Sequence, residues 1–417
     1  MGNTSMGYHT FAFFQKTDYE QYCSLGNDFI GYMRKTGKLK RTPIKNKNNV
    51  QIGWQFSYKD DKDKGIHWIV LSGEAQNNYV TRGVLTVINP KSLLEDNYIV
   101  AANESDLEEV EKIYNSEAEK ISKILLNLGE CSINRVDPCL NIDIKELGFP
   151  CTPEQMMILI KRGNIPRHYK ERRKCYDEKQ RRMVDDKNSF YLESKSSVIN
   201  YYRKYAKQGK KHPNYAKREL SKNVIRLEVE CKYLKLYALT KDVRQESKYY
   251  ESNEGLSMDE IYMRMYEGNY NPVIPIDIVL SERFYENIIR KDFNRVLRKG
   301  DYFTLDIARG IVESYHFRSS KEQRMIEVLE AVNESHGIAK AKSKCQKDEL
   351  HRFNKALREL DKIFVNPVTI PRRWGIDHIP NLLRAYYDAR CDEQLVPNQE
   401  YYARKHIEDY LEKVRQE

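Results

Sequence analysis

Apolar and polar residues alternate along several short segments of the chain. A period of two places successive side chains on opposite faces of a β-strand. The strand candidates are 67–71, 84–88, 132–144, 189–193, 198–203 and 224–232, and alternation is clearest in 132–144 and 224–232. The pattern predicts that these segments form strands, and that the central ones carry one charged face and one apolar face.

The polar faces of the central segments carry acids, bases and a tyrosine. On the first segment they hold Arg135, Asp137, Cys139, Asn141 and Asp143, and on the last they hold Arg226, Glu228 and Glu230. On the segment between them Tyr202 shares its face with Asn200 and Lys204, whereas Tyr201 points the opposite way. A half-exposed sheet with Arg–Glu cross-strand pairs is one explanation. A functional site is the other.

Helical periodicity dominates elsewhere. A capping box of Ser105 and Glu108 predicts a helix that ends at Gly129, and Thr152 followed by Pro153 predicts the start of another. Further amphipathic helices are predicted at 282–297, 304–314, 321–332, 348–363 and 401–414. Residues 320–332, Gly337 and 338–347 have the pattern of a helix-turn-helix, although any helical hairpin can share it.

The order of these elements predicts an α+β fold. We expect an antiparallel sheet domain with helices on one face, followed by a mostly helical C-terminal domain. The first domain is placed at 1–250, with its core motifs at 130–235, and the helical domain at 256–417. The helical domain is a candidate for DNA recognition or partner binding.

Positive charge is concentrated in one part of the chain. The net charge is +10 at pH 7, yet residues 161–222 alone hold 20 Lys and Arg against 7 Asp and Glu. A concentrated positive field suits a polyanion such as nucleic acid, although solvated charges on exposed helices remain the alternative. The candidate DNA contacts from this stretch are Arg172, Arg173, Lys174 and Arg203.

Cysteine usage and hydropathy bear on the compartment. The eight cysteines form no C-x-x-C pair and no dense framework. Because no signal peptide is recognisable, we expect reduced thiols in a cytoplasmic protein. No apolar run approaches the ~20 residues that a membrane-spanning helix needs, so no membrane association is expected.

The polar strand faces hold the groups that phosphodiester cleavage requires. Carboxylates are hard oxygen ligands for Mg²⁺ or Mn²⁺, and the candidate ligands are Asp137, Glu228, Asp143 and Glu230. Tyr202, assisted by Lys204, is the candidate nucleophile, because a nearby metal or cation lowers a phenol pKa that is ordinarily ~10. Among 30 tyrosines, plain packing is the alternative for any one.

Three motifs recur in an order known from one family. They are R-V-D-P-C-L-N-I-D at 135–143, S-F-Y-L-E-S-K-S-S-V-I-N-Y-Y-R-K at 189–204 and N-V-I-R-L-E-V-E-C-K at 223–232. This series resembles the rolling-circle replication initiators of Gram-positive plasmids and the relaxases of related integrative elements. Those proteins carry an R-x-D strand, a Y-x-K element and an R-x-E-x-x-x-K strand in this order. The resemblance covers roughly residues 130 to 235.

The resemblance implies a metal-dependent enzyme that nicks and rejoins one DNA strand at an origin through a covalent 5′-phosphotyrosine. The residues that match the family motifs are Arg135, Asp137, Tyr202, Lys204, Arg226 and Glu228. The two arginines are expected to contact DNA. The resemblance also implies a single-stranded nick region as substrate, a second copy of the chain and a helicase as partners.

Two features depart from the family pattern. The acidic residue that can follow Y-x-K is absent, since Tyr205-Ala206-Lys207-Gln208 stands there, and the chain has no His-x-His pair. Three other functions therefore stay open. They are a conjugative relaxase with the same chemistry, a non-catalytic DNA-binding or regulatory protein, and an RNA-binding module whose sheet stacks bases.

Overall fold

The structure is a computed structural model, and it describes most of the chain. The described residues are 2–46, 48–59, 65–72, 82–95, 99–172, 174–177, 182–211, 217–240, 274, 276–390 and 398–416. For 174–177, 182–185, 210–211 and 398–399 the backbone alone is described.

The central element is an antiparallel sheet. The strands are β1 Ser5–Lys16, β2 Leu39–Lys45, β3 Gln51–Tyr58, β4 Ile66–Leu71, β5 Gly83–Ile88, β6 Ser132–Asp143, β7 Lys170–Arg172, β8 Lys174–Asp177, β9 Arg182–Asp185, β10 Ser189–Glu193, β11 Ser197–Arg203, β12 Val224–Lys232, β13 Tyr302–Phe303 and β14 His378–Ile379. Ten of them form one sheet in the order β2-β3-β4-β5-β1-β6-β12-β11-β10-β7. Strands β8 and β9 form a separate hairpin, and β13 pairs with β14.

Helices cover one face of this sheet and make up most of the chain after it. They are α1 Tyr19–Thr36, α2 Pro90–Glu95, α3 Leu107–Ile121, α4 Pro153–Lys161, α5 Lys204–Lys211, α6 Tyr233–Leu239, α7 Ile276–Val279, α8 Glu282–Leu297, α9 Leu305–Ser314, α10 Ser319–Glu334, α11 Ile338–Lys344, α12 Lys347–Lys362, α13 Leu382–Asp388 and α14 Asn398–Gln416. The predicted α+β fold class is confirmed.

The core lies between the apolar face of the sheet and the helices packed on it. Phe29 of α1 stacks on Phe56 of β3, with ring centroids 4.6 Å apart. Further along the sheet, the ring of Tyr201 contacts Phe293 of α8 at 6.4 Å. Burial of such aromatic side chains supplies much of the driving force for folding. The opposite face of the central strands is left for polar side chains.

Helix α4 begins where the sequence predicts. The Thr152 hydroxyl accepts a hydrogen bond from the Gln155 amide at 3.2 Å, and Pro153 occupies the first turn. The prediction for the preceding helix was wrong at both ends. Asn103 and Asp106 form a capping box on the single turn 104–106 that leads into α3, and α3 ends when Ser122 adopts an extended conformation.

Helix α8 packs directly on the central strands. The Tyr8 hydroxyl of β1 donates to the Val279 carbonyl at 2.7 Å. Lys235 of α6 forms an ion pair with Asp292 of α8 at 2.7 Å. The segment 276–297 is therefore part of the layer that covers the sheet. The predicted division at 250–256 lies outside the described residues and stays a prediction.

The predicted helix-turn-helix segment is a helical hairpin in which the second helix is short. Gly337 (φ 147°) separates α10 from α11, and the Ile338 amide donates to the Arg162 carbonyl at 2.8 Å. Lys342 donates to Asn164 at 2.9 Å, and burial lowers the pKa of Lys342 to about 8. One cation of this helix is thus used in packing. Among the described helices, none has the length and apolar character to cross a membrane.

Candidate functional site

Three neighbouring strands bring the sequence motifs together. In the pairing of β6 with β12, Arg226 lies opposite Asn141 and Glu228 lies opposite Cys139. In the pairing of β11 with β12, Tyr202 lies opposite Arg226. Paired residues share a face of the sheet, so the polar faces predicted for the three segments form one continuous surface.

Tyr202 and Glu228 are directly bonded on this surface. The Tyr202 hydroxyl donates to Glu228 Oε2 at 2.7 Å, and Tyr202 is only 3 % exposed. Burial and the adjacent Glu228 carboxylate raise the pKa of Tyr202 well above its ordinary value, while Arg226 opposes the shift. The phenol is therefore protonated at neutral pH, and Glu228 is the acceptor placed to take its proton.

Arg226 lies beneath this pair. It is fully buried, and it donates to Asn141 Oδ1 at 2.5 Å and to the Ile99 carbonyl at 2.6 Å. The expectation that Arg226 contacts DNA does not fit this position, because the described residues bury its side chain completely. A buried charge held by these acceptors instead fixes the strands behind Tyr202.

A second carboxylate, Asp137, lies along the same face. It is 2 % exposed, and Arg135 Nε lies 3.2 Å from its Oδ1. The Arg135 guanidinium also lies 3.9 Å from Glu230. Burial raises the pKa of Asp137 well above its ordinary value; Arg135 opposes this, while Glu228 and Glu230 add to it. Asp137 and Glu230 thus share one partly exposed arginine, and the charge of Glu228 acts on Asp137 from nearby.

Asp143 is not brought into this group. Its Oδ1 accepts hydrogen bonds from the amides of Lys145 and Glu146, and its Oδ2 accepts one from Asn3 at 3.0 Å. It lies four residues beyond Cys139, which is about 13 Å along a strand. Asp143 closes the turn after β6, so the expectation that it joins Glu228 as a metal ligand is not supported by its position.

His9 belongs to the site but escaped the sequence analysis. A β-bulge shifts the register of β1 between Tyr8 and Thr10, and His9 Nε2 lies 3.9 Å from Glu228 Oε2. Bulges re-aim side chains near functional sites. The sequence has no His-x-His pair to follow, and alternation along β1 does not indicate the face of His9, because the bulge breaks the period there.

The oxygen atoms around Glu228 fit a divalent cation by type. Asn200 lies opposite Glu228, and its buried Oδ1 accepts no hydrogen bond from the residues that the structure describes. Carboxylate and amide oxygens are the donors that Mg²⁺ and Mn²⁺ prefer. In the described ranges, however, no three His, Cys, Asp or Glu side chains converge closely enough to hold an ion as they stand. The ligand set therefore stays a prediction.

Tyr191 is a second phenol on the polar face. It lies opposite Asn200 in the pairing of β10 with β11, and it is half-buried. The Arg172 guanidinium lies 5.7 Å from its ring centroid. Burial raises the pKa of Tyr191, and Glu193 adds to the shift, while Arg172 opposes it. Tyr191 is more accessible than Tyr202 but has no carboxylate bonded to its hydroxyl among the described contacts.

Lys204 lies beside the site, although it begins α5 instead of continuing the strand. It is 4 % exposed. Burial raises the pKa of the Cys139 thiol to about 11, and the positive charge of Lys204 opposes that shift. Because Cys139 is paired with Glu228, Lys204 contributes its charge close to the Tyr202–Glu228 pair.

The candidate DNA contacts of the basic stretch are dispersed. Arg203 forms an ion pair with Glu154 and donates to Asn188 at 3.0 Å. Arg172 is exposed and forms an ion pair with Glu193. Arg173 lies outside the described residues, and only the backbone of Lys174 is described. Of the two whose side chains the structure describes, Arg172 lies on the surface beside the site, whereas Arg203 is mostly covered.

A cavity of about 170 Å³ lies against Tyr202. It is formed where β10, β11 and α5 meet. Its other lining residues are Asp186, Asn188, Ser189, Arg203, Ala206 and Lys207.

Comparison with known proteins gives one structural likeness. No protein-family model matches the sequence, and no curated protein does. A solved structure of a rolling circle replication initiator protein from Geobacillus stearothermophilus aligns with 69 % of this chain and 96 % of its own, at 8 % identity and a TM-score of 0.27. A superposition this loose carries no argument about function. The function is therefore inferred from the site itself.

Proposed function

We propose that the chain nicks and rejoins one strand of DNA at a replication origin by tyrosine transesterification. The main support for this proposal is the hydrogen bond from Tyr202 to Glu228 at 2.7 Å. A phenol bonded to a carboxylate on a charged sheet face is the arrangement that nucleophilic attack on a phosphodiester needs. The motif series shared with rolling-circle initiators supports the same reaction.

In the proposed reaction the Tyr202 oxygen attacks the phosphorus of one phosphodiester. Glu228 accepts the phenol proton, the bond from phosphorus to the 3′ oxygen breaks, and that oxygen leaves and takes up a proton. The 5′ phosphate then remains on the tyrosine. Rejoining reverses these steps, because a 3′ hydroxyl attacks the phosphotyrosine and the phenol departs.

Asp137 and Glu228 are the proposed holders of a Mg²⁺ or Mn²⁺ ion, with Glu230 and Asn200 beside them. When bound, such an ion polarises the phosphate and lowers the pKa of a nearby hydroxyl. Asp137 must lose its proton to bind a cation, and its raised pKa makes that step sensitive to pH. A cation would also relieve the mutual repulsion of the carboxylates.

Arg135 and Arg172 are the proposed contacts to the DNA backbone near the site. Arg135 is partly exposed at 30 % and Arg172 is exposed at 66 %. Lys204 and Arg203 are instead proposed to hold the end of β11 in place. Binding through such cations weakens with salt and is largely independent of sequence.

Incubation of the purified chain with supercoiled plasmid carrying its own origin and Mn²⁺ tests the proposal. We expect nicked circles and, on a denaturing gel, a DNA strand covalently linked to the protein. A plasmid with a scrambled origin is the control. If no adduct forms on any origin-bearing substrate, the catalytic proposal fails.

The second candidate is a DNA-binding or regulatory protein without catalysis. The burial of Tyr202 and the upward shift of its pKa favour it, since both oppose formation of the phenolate. Origin binding without any adduct would support this candidate. A conjugative relaxase uses the same chemistry, so the substrate that is cut, a replication or a transfer origin, separates it from an initiator.

A further inference from the structure

We infer that the cavity beside Tyr202 receives one pyrimidine base of the single strand that is cut. The inference deepens the proposed function and rests on it for the identity of the ligand. The cavity lies next to the proposed nucleophile, because Tyr202 forms part of its wall. A base bound there would belong to a nucleotide close to the phosphate that Tyr202 attacks.

The size of the cavity suits a ligand of one ring. Its volume is about 170 Å³, and an apolar cavity of roughly 150 Å³ is enough to bind benzene. A six-membered pyrimidine is comparable with that ligand, whereas a fused purine is larger by a second ring. Volume alone therefore favours thymine or cytosine over adenine or guanine.

The polar lining suits the edge of a base, which carries both donors and acceptors. Asp186 is held in place by bonds from the Asn188 amide at 2.9 Å and the Ser189 hydroxyl at 2.5 Å. The Asn188 side-chain oxygen accepts from Arg203 at 3.0 Å. Asn188 can therefore donate to a ligand through its side-chain amide nitrogen, while the Asp186 carboxylate can accept from one.

A cation at the cavity suits the phosphate of a nucleotide. Lys207 lines the cavity, and its ammonium lies 5.1 Å from the Tyr202 ring centroid. An aromatic ring, hydrogen-bonding groups and a lysine are the combination by which proteins hold unpaired nucleotides. Together these features select single-stranded DNA with a pyrimidine at this position.

The test compares the binding of dT12, dC12, dA12 and an abasic 12-mer to the full chain in EDTA, by fluorescence anisotropy. Ala206→Leu places a larger side chain at the cavity wall, and Ala238→Leu, at an exposed position of α6, is the matched control. We expect the two pyrimidine oligomers to bind about tenfold more tightly than the abasic one, in keeping with the contribution of a base contact. Ala206→Leu should remove most of that advantage, and Ala238→Leu should not.

Two results would overturn the inference. One is wild-type binding that does not favour dT12 and dC12 over dA12. The other is an equal loss for all four oligomers in Ala206→Leu, with the fold unchanged by circular dichroism. Neither readout requires strand cleavage. A protein that nicks DNA but does not prefer pyrimidines would therefore refute this inference and leave the proposed function intact. A protein with the preference but no adduct refutes only the proposed catalysis.

Discussion

The two faces of the central strands differ in what they do with buried tyrosines. Tyr201 and Tyr202 are adjacent in β11, and both are almost fully buried. Burial raises the pKa of both phenols well above the ordinary value. On the apolar face Tyr201 packs on Phe293 of α8, and its hydroxyl has no hydrogen-bond partner among the described residues. On the polar face Tyr202 donates to Glu228.

Burial alone does not mark a functional tyrosine. What distinguishes Tyr202 is a carboxylate at hydrogen-bond distance, backed by a buried arginine and flanked by a histidine. The side chains of the apolar face instead hold α8 against the sheet. Substitutions on one face should therefore change chemistry, and those on the other should change stability.

The largest effect is expected from exchanging the two phenols for phenylalanine. Tyr202→Phe should fold and bind DNA but form no covalent adduct, because the attacking oxygen is gone. Tyr201→Phe should keep activity and be neutral or up to about 1–3 kcal/mol more stable, since it removes a buried hydroxyl without a partner. Adduct formation on a denaturing gel and urea unfolding measure the two outcomes.

Tyr191→Phe is the third arm of that comparison. If the adduct is lost in Tyr191→Phe and kept in Tyr202→Phe, the nucleophile is the more exposed phenol of β10. Peptide mapping of the trapped adduct by mass spectrometry identifies the modified tyrosine directly. The reaction class would survive such a result, but the role assigned to Tyr202 would not.

The carboxylates should matter almost as much. Asp137→Asn and Glu228→Gln should each reduce nicking at least about 100-fold, as losses around catalytic metals commonly do. DNA binding should stay within a few-fold, because the basic side chains are untouched. Asp143→Asn is the control, and it should nick normally. Wild-type nicking at full rate in EDTA would contradict the metal requirement.

A smaller and different effect is expected on the apolar face. Phe293→Ala should lower the free energy of unfolding by about 3–5 kcal/mol, since it leaves a cavity between α8 and the sheet. At temperatures where the variant remains folded, nicking should be close to that of the wild type. A variant that stays fully stable would show that α8 does not depend on this contact.

The smallest effect is a shift in pH dependence. Glu230→Gln removes a negative charge that raises the pKa of Asp137, so this pKa should fall. Because Asp137 must be ionised to bind a cation, the acidic limb of the nicking profile should move to lower pH. In metal-free protein, the stability that protonated Asp137 contributes is lost as pH rises through its folded-state pKa. An unshifted profile would remove Asp137 from the titration.

Strand alternation predicted the central part of the site because every residue there obeys a period of two. The faces assigned to Asp137, Tyr202 and Glu228 are those that the strand register gives. Which residues of one face lie close together was harder to predict. Asp143 alternates onto the same face as Asp137 but lies too far along the strand from Glu228. His9 required knowledge of a bulge, which changes the period at a single residue. The burial of Arg226 depends on how 99–102 covers that end of the sheet, which no local pattern reveals.

The place of β1 in the sheet has a consequence for how the chain folds. Although Ser5–Lys16 precedes the other strands of the sheet in the sequence, it lies between β5 and β6, and its pairing with β6 spans well over a hundred residues. Such nonlocal pairing must close long loops before it gains contacts, and that slows folding. A ribosome-bound chain therefore cannot assemble the site until β12 has emerged. Until β6 has emerged, the side of β1 that pairs with it needs protection from other chains.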